Sequence, residues 1–207
     1  METHRAARSA VADAIEALRN GELVVYPTET FYAIGADATS PIALERIFAL
    51  KGREPGKAVA LIAADAASAF ALAREVPQLA HRLADKFWPG PLTLVMPAAH
   101  GLPPALVGPD GGVGVRVSPH PVACALAAGL GRPLTATSAN LAGRPPAVTL
   151  DAARVELGNK IKIYLDGGTL AGGAPSTVVA VTADGIRVLR AGAISERELA
   201  MSIESLK

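Results

Sequence analysis

Short apolar runs of strand length alternate along this chain with stretches whose apolar residues recur at helical spacing. Leu23-Val24-Val25-Tyr26 is an uninterrupted β-branched run and predicts a buried strand. Pro27 ends its ladder, because proline has no N–H to donate. Thr28, Glu29 and Thr30 then form a polar strand-end loop, and residues 31–34 return to the core. Ser40-Pro41 marks an N-cap with proline in the first helical turn. The helix it opens carries Ile42, Ile47, Phe48 and Leu50 and closes at Lys51-Gly52-Arg53, with two cations at an exposed helix end. Ahead of it, residues 7–20 show Val11, Ile15 and Leu18 at helical spacing, closed by Asn20-Gly21.

Downstream, residues 58–63 predict a buried strand, Asp65 a helix cap, and Pro77 the start of a helix running to Phe87. Trp88-Pro89-Gly90-Pro91 is a rigid turn into a strand over 92–96. Residues 97–112 are a Pro/Gly-rich loop, and 113–117 alternate as a strand that contains Arg116. A helix over 119–130, a strand over 133–137 and Ser138-Ala139-Asn140 follow. Then come a helix over 150–157, a strand over 161–165 and a glycine-rich connection to Ser176-Thr177. A strand over 178–181 turns at Asp184-Gly185 and returns over 186–189 to Arg190. Residues 195–206 close the chain as a helix. Alternating strands and helices with a late hairpin predict an α/β fold, a mixed sheet flanked by helices. No linker separates two cores, so residues 1–207 are expected to form a single domain.

Composition narrows the function. Half of the 207 residues are hydrophobic, largely through alanine, yet no apolar run approaches the ~18 residues of a membrane span. Cys124 is the sole cysteine, which excludes an intrachain disulfide, and its alanine neighbours suggest a core position. The opening segment METHRAARSAV lacks a secretory h-region, so a cytoplasmic location is expected. A net charge of +1 with dispersed Lys and Arg argues against a protein built to grip a nucleic acid backbone. Tight autonomous RNA binding is disfavoured, and a transient contact stays open.

The common nucleotide signatures are absent. Gly52 to Ala58 is one residue short of a P-loop and lacks its hydroxyl. No G-x-S-x-G elbow is present. His4, His81, His100 and His120 are scattered without a partner at metal-ligand spacing, so no metal ligands are expected, and His120 reads as a surface residue. What remains is a set of polar residues at strand ends and turn mouths: Thr28, Thr30, Lys51, Arg53, Arg116, Ser138, Asn140, Ser176 and Arg190. Ligands of α/β sheets collect at such places. Several cations with hydroxyl and amide groups suit a polyphosphate and a small polar molecule. Each residue alone is equally consistent with a cap or turn role.

From about Leu23 to Ile194 the sequence resembles the YrdC-like (TsaC) L-threonylcarbamoyladenylate synthases, in their short single-domain form. The resemblance is carried by Pro27-Thr28-Glu29-Thr30-Phe31-Tyr32, Lys51-Gly52-Arg53, Trp88-Pro89-Gly90-Pro91-Leu92-Thr93 and Val115-Arg116-Val117. It continues through Thr137-Ser138-Ala139-Asn140-Leu141, Asp166-Gly167-Gly168, Pro175-Ser176-Thr177-Val178-Val179 and Leu189-Arg190-Ala191-Gly192-Ala193-Ile194. The split signature K-x-R … S-x-N is complete as Lys51/Arg53 and Ser138/Asn140, which the resemblance makes the catalytic set. It implies a large concave ligand surface and a reaction joining L-threonine, bicarbonate or CO2, and ATP. The products are threonylcarbamoyl-AMP and pyrophosphate, with Mg²⁺ accompanying ATP and threonylcarbamoyl-transferase proteins using the adenylate on tRNA. It puts Thr30, Arg116, Ser138 and Ser176 near threonine, and Lys51, Arg53, Lys57, Asn140 and Arg190 near ATP. Ala33-Ile34-Gly35 stands where the family often has Gly-Leu-Gly, Glu54 where it has proline, and Ile62 where some members have histidine. Two alternatives are a paralogue with another carbamoyl-transfer role, which would lack the Ser/Asn half of the signature, and a non-catalytic tRNA-binding module. Near-neutral charge and few aromatic platforms count against the latter.

Overall fold

A computed structural model describes residues 2–52 and 58–204. The α/β class follows the predicted alternation, with the strands divided between two mixed sheets. In the smaller sheet, β1 (Val24–Pro27) pairs antiparallel with β2 (Tyr32–Gly35) and parallel with β8 (Ile163–Tyr164), while β7 (Thr137–Ser138) flanks β2. The larger runs β10 (Gly185–Arg190), β9 (Thr177–Thr182), β4 (Leu92–Pro97), β5 (Gly112–Arg116), β3 (Leu61–Ile62), β6 (Leu134–Thr135). The strand expected over 133–137 is thus broken: β6 belongs to one sheet and β7 to the other. Thr135 makes the break. Its buried hydroxyl accepts the Ala36 N–H at 2.8 Å, and its carbonyl accepts the Tyr26 hydroxyl at 2.9 Å. The next residue, Ala136, donates instead to the Ala60 carbonyl.

Side-chain alternation explains the layers. β1 is buried on both faces, which is why its sequence is apolar without interruption. Val24 and Tyr26 pack with Leu18 of α1 (Glu2–Arg19) and Leu126 of α5 (Pro121–Leu130), while Val25 packs with Ile47 of α2 (Pro41–Lys51). Leu157 of α6 (Leu150–Leu157) joins the second group. Beneath the larger sheet, Leu92, Leu94, Val113, Val115, Val179 and Val181 meet Leu83 of α4 (Gln78–Phe87) and Leu199 of α7 (Glu196–Glu204). Helices α1 and α5 approach closely because Gly129 has no side chain; a Cβ there would lie 2.3 Å from Ile15 Cδ1.

Local signals set the helix ends. Ser40 Oγ accepts the Ala43 N–H, and Gly52 ends α2 in the left-handed region at φ 53°. Asp65 caps the short α3 (Ala66–Phe70) in a reciprocal box with Ser68. Several expected bounds shift. α1 begins at Glu2 rather than near residue 7, and only Leu61–Ile62 of 58–63 is strand. α5 starts at Pro121, and the β9–β10 turn is made by Ala183-Asp184. The loop over 97–112 is pinned by buried Leu106 and a bridge from Val107 to Val113.

Candidate active site

A cleft of about 920 Å³ opens between the two sheets. Its floor is the face of the larger sheet turned away from the core. On that face β4 presents Thr93 and Val95, β5 presents Gly112, Gly114 and Arg116, and β9 presents Val178. The glycines leave the floor bare while Val113 and Val115 on the same strand fill the core. Thr28, Thr30 and Ser138 wall the cleft from the smaller sheet, with Ser176, Leu189 and Arg190 opposite.

The β1–β2 hairpin tip reaches across to the larger sheet. Thr28 folds the tip: its hydroxyl donates to the Phe31 carbonyl at 2.7 Å and accepts the Phe31 N–H at 3.3 Å. That turn aims Glu29 at the end of β5, where one carboxylate oxygen pairs with Arg116 Nη1. The other oxygen accepts the hydroxyl of fully buried Ser118 at 2.7 Å. Arg116 itself is 7% exposed. His120 adjoins this cluster, half-buried rather than on the open surface. Its Nδ1 accepts the Val122 N–H and caps α5. Burial pulls the His120 pKa below the usual imidazole range, against a smaller upward pull from Glu29. Cys124, expected in the core, is only partly buried and donates its thiol to the Ser118 carbonyl.

Lys51 corrects a prediction. Instead of lying exposed at the helix end, it is 8% exposed and turned inward. Its ammonium donates to the Ser138 carbonyl at 2.8 Å, the Asn140 carbonyl at 2.6 Å and Asn140 Oδ1 at 3.0 Å. An ammonium has three hydrogens, and here three acceptors of one loop match them. Asn140 Oδ1 also accepts the Ser138 hydroxyl, and its Nδ2 donates to the Arg144 carbonyl. Lys51 and Asn140 therefore sit behind the cleft wall and hold Ser138 in it.

On the opposite wall, Ser176 Oγ lies 3.0 Å from Thr93 Oγ1 and accepts from Arg190 Nη2 at 3.0 Å. Arg190 donates again to the Ser176 carbonyl at 2.7 Å. Loss of hydration in the cleft lowers the Arg190 pKa from its ordinary value, and the positive charge of Arg116 lowers it further. A desolvated guanidinium without a carboxylate partner among the described residues favours an anion beside Arg190.

The structure thus brings Thr30, Arg116, Ser138, Ser176 and Arg190 to one cleft, with Lys51 and Asn140 behind it. Arg53 and Lys57 lie outside the described residues. Ser118 and Thr93 were not anticipated, and Glu29 was recognised only as a polar loop residue. A carboxylate between two hydroxyls directly after a strand-ending proline was the available signal for Glu29. Among the described residues, no cluster of three or more His, Cys, Asp or Glu could hold a metal ion. Glu29, the carboxylate beside the cleft, is engaged by Arg116 and Ser118. Among the described residues, the donor set at the cleft does not fit a resident Mg²⁺, which prefers one or two carboxylates with phosphates and water.

Fold and site define an α/β protein whose inter-sheet cleft is lined by hydroxyls and two guanidiniums. A family model described as "Telomere recombination" (Sua5, YciO and YrdC) matches residues 16–192. A threonylcarbamoyl-AMP synthase of Vibrio cholerae is 40% identical over 181 residues, 86% of this chain and 95% of the relative. One from Pyrococcus abyssi is 36% identical over 190 residues, 92% of this chain but 56% of the relative, so the chain spans about half of that protein. The crystal structure of P. abyssi Sua5 complexed with L-threonine superposes with a TM-score of 0.89 at 36% identity, covering 93% of this chain and 57% of that one. The chain belongs to the Sua5/YciO/YrdC family. Among its described residues, no helix is long and apolar enough to cross a membrane.

Proposed function

We propose that this protein is a threonylcarbamoyl-AMP synthase, making its adenylate and pyrophosphate from L-threonine, bicarbonate or CO2, and ATP. The relatives with this name and the solved structure with bound threonine support the reading. The observation that carries it is the convergence of Arg116, Arg190 and the hydroxyls of Thr30, Ser138 and Ser176 on one cleft, drawn from both sheets. A volume of about 920 Å³ is ample for a nucleotide and an amino acid together.

In this reading the guanidinium of Arg116 takes the threonine carboxylate, keeping that carboxylate away from the α-phosphorus. Thr30, Ser138 and Ser176 orient the amino acid by hydrogen bonds. The neutral amine nitrogen attacks CO2: the N–C bond forms, one C=O π bond opens to give the carbamate oxygen its negative charge, and the displaced N–H proton passes to solvent. A carbamate oxygen then attacks the α-phosphorus, and the bond to the β-phosphate breaks to release pyrophosphate. No side chain forms a covalent bond; alignment of the reactants supplies much of the rate. Arg190 and Arg53 offset the charge that builds on the phosphates, and Lys57 adds a contact to the nucleotide. Lys51 adds its positive charge from behind the wall, while with Asn140 it fixes Ser138. Any Mg²⁺ arrives on the ATP phosphates. The product serves threonylcarbamoyl-transferase proteins that modify tRNA, a cytoplasmic setting.

Pyrophosphate release tests this reading. It should require threonine and bicarbonate together, and threonine blocked at nitrogen should be inert although its carboxylate is untouched. Full release without bicarbonate would refute the proposal.

A further inference from the structure

Arg116 and Arg190 face the same cleft, yet their surroundings differ. Arg116 carries a carboxylate partner, whereas the partners of Arg190 are the carbonyl and hydroxyl of Ser176. A lone guanidinium attracts phosphate as readily as carboxylate. Next to a polyphosphate site, an uncompensated Arg116 would therefore be a second phosphate trap. Glu29 removes that ambiguity. One of its oxygens engages Arg116 Nη1, and the other is held by Ser118, which is 0% exposed. The carboxylate cannot swing away without stranding a buried hydroxyl.

The hairpin tip adds geometry to the charge. Glu29 neighbours Thr30, whose carbonyl accepts the Gly172 N–H at 3.0 Å, so the tip is held from two sides. The Glu29–Arg116 pair thereby sets the spacing between Thr30 on one sheet and Arg116 on the other. It also makes this end of the cleft nearly neutral, while the Arg190 end stays positive. A neutral end with a fixed hydrogen-bond fork suits a zwitterion. A multiply charged anion gains little there.

We infer that Glu29 is a specificity-determining residue, reserving Arg116 for the carboxylate of a zwitterionic amino acid and excluding phosphate from that end of the cleft. This rests on the synthase reading.

Calorimetric titration of the full chain with L-threonine, 3-hydroxybutanoate (the same carboxylate and hydroxyl without the amine) and inorganic pyrophosphate tests it. In Glu29→Gln, affinity for 3-hydroxybutanoate relative to threonine should rise about tenfold or more, and pyrophosphate should begin to compete with threonine. Glu29→Asp keeps the charge and should restore the wild-type preference even if it melts earlier. An unchanged preference in Glu29→Gln, within about twofold, overturns the inference. So does a parallel loss of all three ligands together with the melting temperature, which would mark the ion pair as a structural bolt. If the wild type itself fails to bind threonine, the synthase reading falls and this inference with it. Intact wild-type binding with an unchanged variant removes only the role of Glu29.

Discussion

Replacing Lys51 by methionine keeps most of the apolar stem and removes the ammonium. In the structure that ammonium serves the Ser138 carbonyl, the Asn140 carbonyl and Asn140 Oδ1 at 2.6–3.0 Å, in a site only 8% exposed. Hydrogen bonds from a charged donor contribute ~1.5–3 kcal/mol each, but they are not independent and Ser138 borders the cleft, where water can replace part of the loss. A net cost of about 3–4 kcal/mol follows. In a protein of this size each kcal/mol moves the melting temperature by roughly 2–4 °C, so Lys51→Met should melt roughly 6–16 °C below wild type. A solvated cation that only complements the dipole of α2 would cost about 0.3–1 kcal/mol, hence at most roughly 4 °C. Calorimetric melting of wild type, Lys51→Met and Lys51→Ala separates the two cases. Turnover should fall as well, because the loop that presents Ser138 loses its anchor. A Lys51→Met melt within about 2 °C of wild type would refute the buried-anchor assignment.

Other outcomes follow from the same geometry. Asn140→Ala removes the acceptor shared by Lys51 and Ser138 and the donor to Arg144, so it should cost about 2 kcal/mol and lower turnover beyond what the melt explains; melting curves beside initial rates check this. At Gly114 a Cβ would meet Thr93 and Val95 at an ordinary 3.5 Å, so Gly114→Leu should fold while its longer side chain fills the cleft floor. Nucleotide affinity measured by calorimetry should then drop about tenfold or more, roughly 1.4 kcal/mol, with little change in melting temperature. The folded protein disfavours protonated His120, whereas the unfolded chain takes up that proton near pH 6.5. The unfolded state therefore binds more protons just below that pH, and stability should fall as pH drops through it. His120→Asn keeps a capping acceptor without the titration, and its melting temperature should fall less between pH 7 and 5.5 than that of wild type.

The elements most legible in the sequence were those whose cause is local. The apolar run at Leu23 reports a strand buried on both faces, Ser40-Pro41 caps α2 as read, and the alternation after residue 112 separates core valines from the cleft floor. What was not legible depends on partners far along the chain. Lys51 meets Ser138 across 87 residues, and Glu29 meets Arg116 across the same separation. No local periodicity encodes either contact, so Lys51 read as a solvated cap and Glu29 as a loop residue. The broken strand at Thr135 has the same origin, since its hydroxyl is claimed by Ile34 and Ala36 about 100 residues upstream. The five cleft residues were recognisable as a group because strand ends and turn mouths are local features. Which of them neutralise, anchor or face the ligand required the fold.

Product analysis with carbon-13 bicarbonate tests the central claim most directly. Incubated with ATP, L-threonine and labelled bicarbonate, the protein should yield threonylcarbamoyl-AMP, with the label confined to the carbamoyl carbon by mass spectrometry. Formation of unlabelled threonyl-AMP, or release of pyrophosphate with no labelled adenylate, would contradict it.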